Sequence, residues 1–315
     1  MAFYEIAVDL GSKYIYMGIK GTDRVLKEPS VVAVSNYSEK VVAYGYEAER
    51  MFCSDKTAAR LVYPIVCGAI ADKNAAVELI KRMCKALLPQ AVYEPQIKAD
   101  VAVAIGVSNS DLKAIENAFS AAGVAPIEFI ESAYAAAKYV FKQFKTNCGI
   151  IMNIGHEKSE IAAVENNKII DGCCLFLGGK YIDMGILYVI ENKFKICVDC
   201  DTASKIKEKC VSFNNKDVTT TIAKGVGVTS QAISEVRVAA RDFIEAAIEN
   251  VERIVIAANS LLNTIGDLRD IKSSGVFIVG GGAKMYGIDV FVNNILNIPV
   301  RIPKEPENAV VLGMM

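Results

Sequence analysis

The alternation of apolar and polar positions divides the chain into short strands and amphipathic helices. Residues 3–9 (FYEIAVD) and 14–19 (YIYMGI) are rich in β-branched and aromatic residues and are separated by Gly11-Ser12-Lys13. Two such runs around a glycine turn predict a hairpin. Lys40–Tyr44 reads as a further short strand. From Asn74 to Leu88 the apolar residues Val77, Ile80, Met83, Cys84, Leu87 and Leu88 recur at helical spacing, and Pro89 stops the pattern. Val101–Val107 is a continuous apolar run, as in a strand buried on both faces. Ser108 and Asp111 form a capping box, and Gly123 a stop, for a helix between them. A short strand at Ile127–Ile130 and an Ala-rich helix from Ser132 to Phe144 follow.

At Cys148 the hairpin pattern returns: CGIIMNIG, SEIAAV, then KIIDGCCLFLGG. Tyr181–Glu191 and Thr202–Cys210 read as helices and Thr219–Ile222 as a strand. Val228-Thr-Ser-Gln-Ala is expected to open another helix. Arg241 to Leu262 is the longest amphipathic stretch, with Phe243, Ile244, Ala247, Ile248, Val251, Ile254, Val255, Ala258 and Leu262 on one side. Val276–Val279 is a strand running into Gly280-Gly281-Gly282 and a further helix. Hairpins alternating with helices predict α/β layers.

The two hairpin starts repeat one another. Ala7-Val8-Asp9-Leu10-Gly11-Ser12 matches Ile151-Met152-Asn153-Ile154-Gly155-His156, with Gly155 lying 144 residues after Gly11. A duplication at nearly half the chain length suggests two similar domains facing each other across a cleft. Glycine turns let backbone N–H groups approach a phosphate, and successive N–H groups form an anion-binding concavity. Two such turns suit a triphosphate, with Asp9 placed to hold Mg²⁺ through water; the alternative is that each glycine only closes a tight turn. The glycines after Val279 allow a flat ring or a ribose to lie against backbone near a helix N-terminus.

Length and composition narrow the class. At 315 residues the chain fits about two domains. Basic and acidic residues number 35 and 36, so there is no basic excess for coating nucleic acid. Hydrophobic residues at 52% exclude wholesale disorder. Nine cysteines, an odd number, point to thiols in a reducing cytoplasm. Cys197-Val-Asp-Cys200 has a zinc or redox spacing, but zinc needs two more ligands and the only histidine is the distant His156. No run of about 18 apolar residues marks a transmembrane helix.

In this order, the elements resemble those of the actin, sugar kinase and heat-shock ATPase superfamily, and within it the bacterial actin-like cell-shape proteins of the MreB type. "DLGSKYIYMGIKG…VLKEPSVVAV" looks like the family's first phosphate loop and following strand. "KVVAYGYEAERM", "YPIVCGAIAD" and "FIESAYAAAKY" look like later segments, as does Val226-Gly-Val-Thr-Ser-Gln231. "VFIVGGGAKMYGID" is similar to the adenosine loop, and "NAVVLGMM" to the second interdomain connection. The resemblance covers essentially the whole chain. It implies a duplicated, ribonuclease H-like, actin-like fold with a nucleotide cleft between domains. Domain I would span 1–145 with a small subdomain near 31–70. Domain II would span 146–315 with a small subdomain near 181–240, its last ten or so residues returning toward domain I.

Residue by residue, the resemblance implies that Asp9, Gly11, Ser12 and Lys13 form the first phosphate loop and that Glu131 orients the attacking water. It places Lys207 and Glu208 against adenine and ribose, and Gly280, Gly281 and Gly282 in the adenosine loop. In the second phosphate loop, Gly155, His156 and Lys158 are the candidate ligands. That loop departs from the family's D-I-G-G-G-T-T-E: here it reads Asn153-Ile154-Gly155-His156-Glu157-Lys158-Ser159-Glu160. Asn153 replaces the expected aspartate, and Glu157 adds negative charge near the γ-phosphate, offset by Lys158. Cys67 stands where the first connection carries an acidic residue, and the chain stops at Met315, short of the family's C-terminal helix.

The function implied is a cytoskeletal protomer that binds ATP or ADP with Mg²⁺, weakly, and assembles head to tail with itself. It would serve cell shape or intracellular positioning, with slow or absent hydrolysis; the other outcome for the altered loop is that His156 and Lys158 substitute as phosphate ligands and activity survives. The location would be the cytoplasm or its membrane face, with Leu87, Leu88 and Tyr93 in an apolar membrane loop; the alternative for that loop is a helix end packed in the core. The runner-up function is a non-filamentous chaperone or reactivase-like ATPase. A small-molecule kinase ranks lower, since no base for a substrate hydroxyl is evident.

Overall fold

A computed structural model of the protein describes residues 2–89, 95–214, 216–265 and 269–315. The chain forms two compact units: the first holds the residues up to Lys145 together with Asn308–Met315, the second Thr146–Glu307.

The first unit runs β1 (Phe3–Leu10), β2 (Tyr14–Ile19), β3 (Val25–Pro29), β4 (Val32–Ser35), β5 (Val41–Tyr44), α1 (Gly45–Ser54), β6 (Ala59–Val62), β7 (Ile65–Val66), β8 (Ala69–Ile70), α2 (Lys73–Leu87), β9 (Gln96–Val103), α3 (Asn109–Ala121), β10 (Ile127–Glu131) and α4 (Ser132–Phe144). Its main sheet has the order β10-β9-β1-β2-β3. β1 pairs antiparallel with β2 and parallel with β9, so the N-terminal hairpin sits mid-sheet. A second sheet, β5-β4-β6, has its own small core of Val31, Ala33, Ala43, Ala48 and Ala59.

Local signals placed the helix starts. Asp72 Oδ1 accepts the Ala75 N–H at 2.9 Å at the start of α2, and Ser108 Oγ accepts the Asp111 N–H at 3.1 Å at the start of α3; side-chain caps of this kind satisfy donors the helix cannot. The apolar run expected as a strand over 101–107 is strand only to Val103 and starts at Gln96, because Gly106 takes φ +75° in a turn. The membrane reading of Leu87 and Leu88 is corrected: they are 0% and 8% exposed, at the end of α2. They pack in one core with Leu79, Ile80 and Met83, as a helix end buried in the core does. Tyr93 lies outside the described residues.

The second unit runs β11 (Cys148–Ile154), β12 (Ser159–Glu165), β13 (Lys168–Leu175), α5 (Gly179–Phe194), β14 (Ile196–Cys197), α6 (Cys200–Cys210), β15 (Thr220–Gly227), β16 (Ile233–Ala239), α7 (Ile244–Thr264), α8 (Arg269–Ser274), β17 (Val276–Val279), α9 (Ile288–Leu296) and β18 (Val300–Arg301). Its main sheet, β13-β12-β11-β17-β18, again has an antiparallel hairpin beside a parallel strand. β12 is buried on both faces from Ser159 to Val164. β15 instead alternates, exposing Ile222, Lys224 and Val226, as a sheet covered on one side does.

The helix expected from Val228 does not form. β15 and β16 are a hairpin, turned by the Gln231 N–H donating to the Gly227 carbonyl at 2.9 Å and by Gln231 itself at φ +53°. The next helix is α7, entered through a 3₁₀ turn at Ala240–Asp242. There the Asp242 carboxylate accepts from the Ala239 N–H and from Lys193 Nζ. Burial works against the ionised form, but these bonds outweigh it and hold the Asp242 carboxyl below its ordinary value.

The chain ends in α10 (Ala309–Met314), which belongs to the first unit and lies against α4. Gly313 touches the Ala135 backbone so closely that a Cβ there would meet the carbonyl oxygen. Among the described residues, no helix is long and apolar enough to cross a membrane.

Candidate functional site

In the first unit the candidate residues sit on the β1–β2 hairpin. Asp9 is near the end of β1, in register with Tyr16 on β2 and Ala102 on β9. Tyr16 is in turn opposite Lys27 on β3. Directly opposed residues share a face, so Asp9, Tyr16 and Lys27 form one row. Lys27 Nζ lies 4.2 Å from the centre of the Tyr14 ring and 5.4 Å from that of Tyr16, and Lys13 Nζ lies 5.6 Å from Tyr14. The Gly11–Lys13 turn is held down by Ser30, whose Oγ donates to the Gly11 carbonyl at 2.5 Å and whose N–H donates to the Lys13 carbonyl at 3.0 Å. A Cβ on Gly11 would strike the Tyr14 carbonyl. A tight turn, two ammonium groups and a carboxylate oxygen fit a Mg²⁺-phosphate ligand, since Mg²⁺ prefers oxygen donors and keeps its waters. Glu131 is exposed at the end of β10, immediately before α4.

The second unit carries the altered loop, and its bonds are internal. The Gly155 N–H donates to the Lys158 carbonyl at 2.9 Å, closing the turn between β11 and β12. The start of α5 then folds onto it: the Gly179 N–H reaches the Gly155 carbonyl at 3.0 Å and the Lys180 N–H the His156 carbonyl at 2.8 Å. Gly178 permits this approach, because a Cβ there would lie 2.6 Å from the His156 oxygen and 2.7 Å from that of Gly155. Glu157, expected to be offset by Lys158, is buried instead against Lys180, whose Nζ donates to its Oε1 at 2.7 Å. Asn153 is opposite Glu160 in the hairpin, with its Nδ2 3.4 Å from the Glu160 carboxylate.

Lys207 does not present an open ammonium. From α6 it donates to Asp183 Oδ2 and to the Gly179 carbonyl, each at 2.8 Å, and both charged side chains are about nine-tenths buried. Its bonds cross-link α6 to the start of α5, beside the β11–β12 turn. Glu208, one position on, is exposed. The three glycines differ among themselves. Gly280 takes φ +80°, and a Cβ there would lie 2.5 Å from the Ile154 oxygen and 2.6 Å from Asn153 Oδ1. A Cβ on Gly282 would clash with the Ile154 side chain, whereas one on Gly281 would meet nothing within 4 Å. The structure thus brings Asn153, Gly155, His156, Lys158, Lys207, Gly280 and Gly282 around one end of β11. Sequence reasoning missed Gly178, Lys180 and Asp183; the Gly178-Gly179 pair before a helix was the available signal.

The fold is shared with solved actin-like structures. MreB5 of Spiroplasma citri bound to AMPPNP superimposes at a TM-score of 0.91 and 22% identity, over 100% of this chain and 95% of that one. The MamK double helical filament gives 0.82 at 16% identity, over 99% and 97%. This is an actin-like protein. Residues 3–315 match the family model described as MreB/Mbl protein, and the chain belongs to that family. Its relatives include the cell shape-determining protein Mbl of Bacillus subtilis, 28% identical over 98% of this chain and 94% of that protein. The cell shape-determining protein MreB of Pasteurella multocida is 26% identical over 98% and 91%.

Proposed function

We propose that this chain is a cytoplasmic, actin-like cytoskeletal protomer that binds an adenine nucleotide with Mg²⁺ and assembles head to tail for cell shape or intracellular positioning. The observation that carries this reading is family membership along the whole chain, with relatives named for determining cell shape. Structural neighbours bound to AMPPNP and ADP, and one in a filament, support nucleotide and self as partners. In this reading Asp9 holds Mg²⁺ through water, Gly11–Lys13 and Gly155–Lys158 face the phosphates, Gly281 leaves room for the nucleoside and Glu131 orients water. Hydrolysis is slow, because Asn153 offers an amide where the family has a carboxylate; loss of a group that positions water or metal typically costs about 10²–10⁴ in rate.

The test is high-speed pelleting of purified protein without nucleotide, with Mg-ADP and with Mg-ATP, with pellets viewed by negative stain and phosphate release followed in parallel. Filaments with phosphate release well below that of ordinary family members are expected. Asn153→Asp with His156→Gly and Glu157→Gly should raise turnover. A protein that stays soluble in all three conditions overturns the filament reading.

A further inference from the structure

The second phosphate loop carries its own anion. The Glu157 side chain is only 9% exposed, and its partner Lys180 is the second residue of α5, half exposed at 50%. A helix start favours phosphate through its free N–H groups and the positive end of its dipole. Here the Gly179 and Lys180 N–H groups are closed by the Gly155 and His156 carbonyls, and the adjacent ammonium is held by a carboxylate from the loop itself. Below them Lys207 is fixed on Asp183 and Gly179. The Gly179 and Lys180 N–H groups and the Glu157 carboxylate are therefore already bonded without a ligand, and the half-exposed Lys180 has room to turn toward one.

Resting on the reading that this chain binds a nucleotide, we infer that Glu157 is a resident competitor for Lys180, so that the site takes a nucleoside diphosphate at least as tightly as a triphosphate. A terminal phosphate brings further negative charge toward a buried carboxylate. It recruits Lys180 only by breaking a short, charge-assisted hydrogen bond, and such bonds are about twice as strong as neutral ones. A diphosphate asks for less charge compensation and loses less.

The experiment is titration calorimetry of the full chain with ADP and with AMPPNP, both with Mg²⁺, on the natural protein and on E157Q, K180Q and the double variant. In the natural protein AMPPNP is expected to bind no tighter than ADP. E157Q keeps the side-chain shape and releases Lys180, so AMPPNP should tighten by about tenfold while ADP stays within about twofold, the scale of one added charge contact near a protein surface. K180Q leaves Glu157 uncompensated and should weaken AMPPNP more than ADP. The double variant should return to the natural ratio, which shows that the gain runs through Lys180. A tenfold preference of the natural protein for AMPPNP overturns the inference, as does an equal gain for both ligands in E157Q or a gain that survives in the double variant. If E157Q fails to fold, the natural ratio and K180Q decide. Binding of neither ligand to the natural protein overturns the nucleotide reading and this inference with it, whereas binding that favours AMPPNP overturns this inference alone.

Discussion

Lys207 shows how a side chain's role depends on partners distant in sequence. From its place in a helix of alternating lysines it reads as a solvated or ligand-facing cation. Asp183, one helix earlier, converts it into half of a buried ion pair. Removing one member of such a pair strands the other charge, which typically costs about 3–5 kcal/mol, while replacing both with apolar residues is often neutral. Lys207→Met should therefore lower the urea midpoint sharply, and Lys207→Met with Asp183→Leu should recover most of the loss. If Lys207→Met left stability unchanged and weakened only nucleotide binding, the structural role assigned here would fail. Glu157 was misread for the same reason: its partner is the distant Lys180, whereas Lys158 is merely adjacent. The turns at Gly11 and Gly155 were legible because a turn's geometry is set by neighbours along the chain.

At the scale of elements, hairpins and long helices were readable and their ends less so. The β1–β2 and β11–β12 hairpins follow from strict alternation around a glycine turn. The β15–β16 turn was missed because Val-Thr-Ser-Gln-Ala resembles a capped helix start, while the Gln231-to-Gly227 bond that closes it joins two strands. The glycine loop after β17 gives a graded prediction. Gly281→Ala adds a methyl into open space and should change stability by less than about 0.5 kcal/mol, the usual range for surface changes. Gly282→Ala drives a methyl into Ile154 and should cost about 1–3 kcal/mol, as overpacking does. Thermal melts of the two variants check this order. If Gly281→Ala also weakens ADP binding without moving the melt, the loop faces the nucleoside.

Over the whole molecule, stability of the first unit depends on residues from both ends of the chain. Ala309, Val310, Val311 and Met314 of α10 are buried, and Gly313 lies on the Ala135 carbonyl. Gly313→Val cannot be seated there without lifting α10 from α4. It should cost about 3 kcal/mol or more, beyond ordinary overpacking, because the apolar face of the helix is released with it. Limited proteolysis should then digest the first unit while leaving a fragment near 146–307. Equal resistance of this variant and the natural protein would show that α10 is dispensable. The duplication was legible from the paired hairpins, but the return of the last helix to the first unit involves α4, more than 160 residues earlier in the chain.

That return sets an order of events during synthesis. The second unit is complete once Glu307 has left the ribosome, whereas the first, though made earlier, still lacks α10. Domains tend to fold as they emerge, N-terminal first, yet here the earlier-translated half cannot seat α10 on α4 until residues 309–314 have been made. Until then the face of α4 that α10 covers stays open, and nascent chains held short of α10 expose it.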